Sequence, residues 1–548
     1  MSNIPGVARA AVLLCLLLCA RITAAQPSLT LEQQIGQMFV LTVHGAQLPE
    51  VGRDFLQRWQ PGALVLFNSN IGTPEAITRL TNSYQQAITE AGGVPLLIAT
   101  DQEGGRVQRL TDGFTTLPAP ALLTAANDPA LVRAVGRAVA DELRAVGINM
   151  NLAPVADLEL NPNNPIIWRR SFGSDPEITG QALAAYVQGL QDGGVLATLK
   201  HFPGHGATDS DSHVELPVLP FSQAQVLARE AVPFERAENA DAIMVTHIWF
   251  PEIEPQANLP ASLSPHVIGG LLRDAMGYDG IVMTDALDMD AVDRQYDYAQ
   301  AAVMAIQAGA DAVTVGPGIG LESQARMIQA VIDAVQRGDI PAARIHESAQ
   351  RILDAKARYG LLDWQPLDPA SAADRIQKEA HEALIADLFQ AGVTVVYDHG
   401  DLLPVPPDRS VAVIFLATRN YTQAACGTYR DDIHWSAVAL HPADDEIARA
   451  VDIASRVDTA IVFTENASDN PQQQALVRAL PPEKTAVVAL SSPYDWQQFP
   501  DVAAYVLTHS PLPPAVPSAC AVLFGAAPAR GILPETLSSD LPAGSHAD

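Results

Sequence analysis

From Leu31 onward, short β-rich apolar runs alternate with amphipathic stretches of helical length, and the alternation carries through eight strands. The strand candidates are Ile35–Val43, Ala63–Phe67, Val94–Thr100, Ile148–Ala153, Val195–His201, Ala242–His247, Gly280–Thr284 and Ala312–Val315. Between and after them lie helical candidates at Ala76–Thr89, Ala130–Val146, Thr179–Asp192, Ala224–Asn239, Pro265–Ala275, Tyr298–Ala308 and Leu321–Gln336. Several helices close on glycine before the next strand, as at Gly92, Gly147, Gly193 and Gly309, where glycine accepts the left-handed conformation that ends a helix. Strands joined by helices run parallel, and eight of them over roughly 300 residues match a closed (β/α)8 barrel. An open doubly wound sheet has the same local signature. The polar residues favour the barrel: Asp101, Asp157, Lys200, His201, His247 and Asp285 all fall at or just past a strand's carboxyl end, where barrel enzymes build their sites.

A further helix runs to about Tyr359, and a Pro/Asp/Ala-rich stretch follows it. A second α/β unit then begins with a helix at Lys378–Gln390. Its strands are expected near Val393–Tyr397, Val411–Leu416, Thr459–Phe463, Thr485–Leu490 and Ala503–Leu507. At 548 residues the chain is too long for one ordinary domain. The expected fold class is α/β, a TIM barrel followed by a smaller, sandwich-like α/β domain. The expected boundaries are a signal peptide over 1–25, the barrel over 26–362, a linker over 363–376 and the accessory domain over 377–548.

The signal peptide rests on Arg9, an apolar run Ala10–Ala20, and small residues ending at Ala25 before Gln26. That run is about 11 residues, short of the about 20 that span a bilayer, so no stable membrane insertion is expected after cleavage. Export to the periplasm or the exterior follows. Cleavage removes Cys15 and Cys19 and leaves Cys426 and Cys520, which an oxidising compartment lets pair but does not oblige to. The net charge of −29 repels phosphate backbones, so nucleic acid is excluded as a partner.

Three loops carry chemistry. The first, Asp101-Gln102-Glu103-Gly104-Gly105-Arg106 with Arg109, pairs an acid with arginines suited to a polyhydroxylated ligand, and also reads as a solvated loop of internal ion pairs. The second runs from Lys200-His201-Phe202-Pro203-Gly204-His205-Gly206 to Asp211-Ser212-His213. Its histidines do not follow a recurring metal-ligand spacing, so no metal and no cofactor are expected. Asp211 and His213, two residues apart, can meet, so that the carboxylate raises the basicity of an imidazole that titrates near neutrality. The third loop delivers Asp285 from the apolar run Gly280–Thr284, and a carboxylate there can attack an anomeric carbon. A lone aspartate at a strand end otherwise reads as a helix cap.

Together these loops, with Arg170-Ser171-Phe172-Gly173, Ser262-Leu263-Ser264 and Thr284-Asp285-Ala286-Leu287-Asp288-Met289, resemble glycoside hydrolase family 3. The resemblance is to its bacterial β-N-acetylglucosaminidase branch, and it covers Leu31 to Leu361, with weaker similarity beyond Ala391. The resemblance implies Asp285 as nucleophile, His213 as acid/base with Asp211 behind it, and Asp101, Arg109, Arg170, Lys200, His201 and His247 as sugar-binding residues. It implies retaining, exo-acting cleavage of a carbohydrate bearing terminal β-linked N-acetylglucosamine. One position departs from the branch: Ala207 stands where it usually carries aspartate. Three rivals share parts of the pattern: a β-glucosidase or β-xylosidase of the same fold, an aldolase-type barrel using Lys200 as a Schiff-base amine, and a catalytically inactive glycan-binding protein. The sequence assigns no oligomeric state.

Overall fold

The structure, a computed structural model, describes residues 28–547. The expected signal segment, with Cys15, Cys19 and the junction at Gln26, lies outside the described residues. Eight parallel strands form the barrel: β1 (Phe39–Leu41), β2 (Ala63–Val65), β3 (Leu97–Thr100), β4 (Met150–Asn151), β5 (Leu196–Phe202), β6 (Ala242–Val245), β7 (Ile281–Thr284) and β8 (Val313–Thr314). They pair in chain order, and β8 returns to β1 with Val313 opposite Phe39. The last seam, between β7 and β8, is a single bridge from Met283 to Ala312. Every residue of the eight strands is buried, as expected for a parallel sheet covered by helices outside and packed side chains within.

The apolar runs are longer than the strands they contain. Val94–Leu96 and Ile148–Asn149 are buried but precede the ladder, because a barrel covers its loop stems as well as its strands. The expected strand from Ile35 begins instead as a helix, Leu31–Gln37, closed by a capping box between Thr30 and Gln33. The unanticipated helix Glu50–Trp59 joins β1 to β2. The single helix expected over Ala224–Asn239 is two, Gln223–Ala228 and Val232–Arg236, since Pro233 brings no N–H to a continuous ladder.

Residues 363–376 are not a free tether. They hold a 3-10 turn at Pro369–Ser371 and a helix at Ala372–Ile376. Leu367 and Asn82 exchange hydrogen bonds, and Arg375 donates to the Ala145 carbonyl at 2.7 Å.

The second unit is a six-stranded sheet: β9 (Thr394–Asp398), β10 (Val411–Leu416), β11 (His434–Val438), β12 (Thr459–Thr464), β13 (Thr485–Ala489) and β14 (Ala504–Leu507). Its order is β9-β14-β13-β12-β10-β11, parallel except for β9 against β14. Val411, Val413 and Phe415 face the apolar core shared with the barrel, and Ile414 and Leu416 face a second core. β11 escaped the sequence reading because it is an edge strand whose outward residues are polar or small. Cys426 and Cys520 form a disulfide with Cα atoms 5.0 Å apart, joining the helices Thr422–Gly427 and Ala515–Leu523.

Candidate active site

At the carboxyl ends of the strands lies a cavity of about 620 Å³. Asp101, Arg109, Arg170, Lys200, His201, His213 and Asp285 all line it, and Asp211 stands behind His213. Residues separated by nearly two hundred positions meet here because they come from the ends of β3, β4, β5 and β7 and the loops that follow, all on one side of one closed ring.

One wall is a lattice of charges. Lys200, nearly buried, places its ammonium 2.7 Å from Asp101 and 2.7 Å from Glu103. Arg170 grips Glu103 with two parallel bonds of 2.8 and 2.9 Å, and Arg109 stands 3.6 Å from Asp101. Burial pushes Glu103 toward its neutral form, but Arg170 and Lys200 outweigh it and hold the carboxyl below its ordinary range. Burial likewise disfavours the charged lysine, and Asp101 and Glu103 reverse this, so Lys200 stays protonated. A locked ammonium is a poor Schiff-base nucleophile, which counts against the aldolase reading. It is a good hydrogen-bond donor to a sugar hydroxyl.

Beside this lattice, Asp157 is a fully buried hub. One oxygen accepts from the His201 backbone at 3.1 Å and meets the His201 Nδ1 at 2.7 Å, and the other accepts from the His205 backbone at 2.7 Å. Burial opposes its charge, and His201 and His205 more than restore it. The hub fixes the His201 ring through Nδ1, leaving Nε2 as its remaining hydrogen-bonding atom.

Asp285 follows β7. Its N–H donates to the Val245 carbonyl at 2.9 Å, and its own Oδ1 accepts from the Ala286 N–H at 2.8 Å. Burial raises its pKa, but His201, His247, the Ala286 N–H and Lys200 together bring it below the usual carboxylate value. The group is therefore an anion at neutral pH, as a nucleophile must be.

His247 corrects a sequence expectation. It is fully buried and does not line the cavity. Its Nδ1 is 2.6 Å from the Ser262 hydroxyl, and its Nε2 is 2.9 Å from the Ala286 carbonyl. With both ring nitrogens committed it has nothing left for a sugar. Burial lowers its pKa against the pull of Asp285, and it braces the peptide that follows Asp285.

The Asp211–His213 pair forms as the spacing suggests: Asp211 Oδ1 accepts from the His213 backbone at 2.8 Å and meets the His213 Nδ1 at 2.8 Å. The other nitrogen, Nε2, is thus the one not bonded to the carboxylate. Ala207 packs against the apolar core, and the Thr208 hydroxyl lies 3.0 and 3.1 Å from the His205 and Ser210 carbonyls, with one proton to donate between them.

Sequence reasoning gave no role to Glu103, Asp157, His205, Ser212 or Asp288. Glu103, His205, Ser212 and Asp288 sit inside quoted motifs and Asp157 just past a strand end, but a role that depends on burial leaves no trace in spacing. Asp288 ties the β8 loop to β7 by accepting from the Gly316 and Gly318 N–H groups, both at 2.8 Å. His44, Asn68 and Ser69, from the β1 and β2 loops, also line the cavity.

Residues 30–355 match the family described as "Glycosyl hydrolase family 3 N terminal domain". The chain is 27% identical to "Beta-hexosaminidase A" of Pseudoalteromonas piscicida, over 95% of this chain and 99% of that one. It is 38% identical to a "Beta-hexosaminidase" of Alkalilimnicola ehrlichii, over 50% of this chain and 79% of that protein. Its fold resembles the solved glycoside hydrolase family 3 β-N-acetylglucosaminidase from Paenibacillus sp. str. FPU-7, with a TM-score of 0.79 and 32% identity, covering 93% of this chain and 99% of that one. By that match and that likeness, the chain is a glycoside hydrolase and belongs to glycosyl hydrolase family 3.

Proposed function

We propose that the protein is a retaining, exo-acting β-N-acetylglucosaminidase that releases terminal β-linked N-acetylglucosamine from glycans such as peptidoglycan fragments or chitooligosaccharides. The observation that carries this reading is the Asp211–His213 pair on the same cavity as an ionised Asp285. In the first displacement the Asp285 carboxylate attacks the anomeric carbon while protonated His213 donates through Nε2 to the departing oxygen. In the second, the same imidazole deprotonates the incoming acceptor, and the configuration is retained. Such proton transfer is worth about 10²–10⁴-fold. An imidazole also avoids setting a second carboxylate near Asp285, where one anion would disfavour the other. The charge lattice of Asp101, Arg109, Arg170 and Lys200, with His201, supplies donors and acceptors for the sugar hydroxyls.

Kinetics with nitrophenyl β-N-acetylglucosaminide and the corresponding glucoside, each with and without phosphate, test the reading. The acetamido sugar is expected to be turned over in clear preference. Preference for the glucoside would assign the chain to the glucosidase reading, and binding without turnover would mark it as inactive. Export belongs to the same proposal, supported by the leader-like residues 1–25. Mass spectrometry of the exported protein is expected to find a start near Gln26, and an intact leader on a cytoplasmic protein would remove this part.

A further inference from the structure

His213 is held through its neighbour. Its side chain is 59% exposed and that of Asp211 is 27% exposed, yet Ser212 between them is 2% exposed. Ser212 is thus the inward anchor of a loop whose working residues point outward. Its hydroxyl lies 3.0 Å from His205 Nε2, and its carbonyl accepts from the Ala291 N–H at 3.3 Å. One anchor belongs to the loop after β5, and the other to the segment that follows Asp285.

His205 is itself immobilised on every side. Its N–H donates to Asp157, its carbonyl accepts from Asn164 Nδ2 at 3.0 Å, and its Nδ1 is 3.0 Å from the Thr208 hydroxyl. Thr208 in turn accepts from Asn164 at 3.1 Å. His205 lines the cavity, but both ring nitrogens are taken by hydroxyls, and burial lowers its pKa to about 4. It has no spare proton to give a substrate, and so its use must lie in what it holds.

We infer that His205 is a positioning residue for proton transfer: by fixing Ser212 it sets where the Asp211–His213 pair stands relative to Asp285. The inference rests on the reading of His213 as acid/base. It also accounts for a loop that works with Ala207, since the Thr208–His205–Ser212 chain supplies the loop's internal bracing.

The test compares kcat/KM, which reports the glycosylation step, on dinitrophenyl β-N-acetylglucosaminide and on N,N′-diacetylchitobiose. A dinitrophenolate leaves with little protonation, whereas a sugar alkoxide needs the proton in the transition state. Ser212→Ala and His205→Gln are each expected to cost about 10- to 100-fold on the disaccharide, part of the about 10²–10⁴-fold that such proton transfer is worth. The loss on the dinitrophenyl glycoside is expected to be at least about tenfold smaller. In a His213→Ala background, adding Ser212→Ala is expected to bring no further leaving-group-dependent loss. Equal losses on both substrates, or none, overturn the inference. Ser212→Ala changes one hydroxyl and carries the test alone if His205→Gln fails to fold. His213→Ala separates the two ideas. If it shows the leaving-group dependence and Ser212→Ala does not, only the positioning role falls. If it shows none, the acid/base reading falls and the inference falls with it.

Discussion

Asp285 is a half-buried carboxylate at the cavity whose neighbours keep it charged. His201, His247, Lys200 and the Ala286 N–H all bear on it. Asp285→Ala is expected to leave the fold intact and to lower turnover by several orders of magnitude, because the other carboxylates that line the cavity are engaged: Asp288 accepts from the Gly316 and Gly318 N–H groups. Asp101 and Glu103 are bound to Lys200 and Arg170. Azide is expected to rescue the variant and to give a glycosyl azide of inverted configuration. Near-normal turnover, measured after circular dichroism has verified folding, would remove Asp285 from the mechanism. At this scale the sequence was legible for place: Asp285, Lys200 and His213 line the cavity, as their loops and strand ends imply. It was not legible for His247, which shares its strand-end position with residues that line the cavity. Only the two hydrogen bonds on its ring separate a brace from a contact.

The loop after β5 shows how tightly one element constrains another. A Cβ on Gly206 would lie 1.6 Å from the Leu158 carbonyl oxygen, a backbone atom of the loop after β4 that cannot turn aside. Gly206→Ala is therefore expected to force the two loops apart and to destabilise the protein by about 1–3 kcal/mol. Activity should fall as well, since Asp157 and His205 bridge the same loops. Denaturant unfolding together with kinetics measures both effects, and an unchanged midpoint would contradict the close approach. Elements built on long apolar runs were readable from sequence to within a few residues: Tyr298–Ala308 and Val411–Leu416 stand as expected. Glu50–Trp59 was passed over although Val51, Phe55, Leu56 and Trp59 recur at helical spacing, because it is only ten residues long and carries Gly52. Its Gly52 is needed because a Cβ there would lie 2.8 Å from Val43, a tertiary demand that no local pattern encodes.

Between the barrel and the second unit lies a seam that carries buried acids. Glu159, just beyond β4, and Glu535 are both nearly inaccessible to solvent, and each has one oxygen without a hydrogen-bond partner among the described residues. Burial raises Glu159 to about 7 against the pull of the Tyr494 hydroxyl and Arg169. Burial and the neighbouring Glu159 raise Glu535 as well. A carboxyl whose pKa is higher in the folded state than in the unfolded one keeps its proton on folding. Its stabilisation is complete below the unfolded value of about 4.5 and is lost as pH rises through about 7. The melting temperature is expected to drop by several degrees between pH 5 and pH 8, and Glu159→Gln should flatten that dependence. A slope unchanged in the variant would locate its origin elsewhere.

The same seam ties late chain to early chain. The Pro534 carbonyl accepts from the Ser174 N–H at 3.1 Å, and a Cβ on Gly173 would lie 2.5 Å from that oxygen. Gly173 and Ser174 closely follow Arg170, the residue that clamps Glu103 on the cavity wall. A ribosome makes Asp101, Lys200 and Asp285 long before it makes Pro534. During synthesis the chain therefore holds every reactive group for hundreds of codons while the turn beside Arg170 still lacks its brace. The hydrogen bond that braces this turn can form only once the second unit has been translated, so the turn beside Arg170 is among the last parts of the cavity's surroundings to be completed.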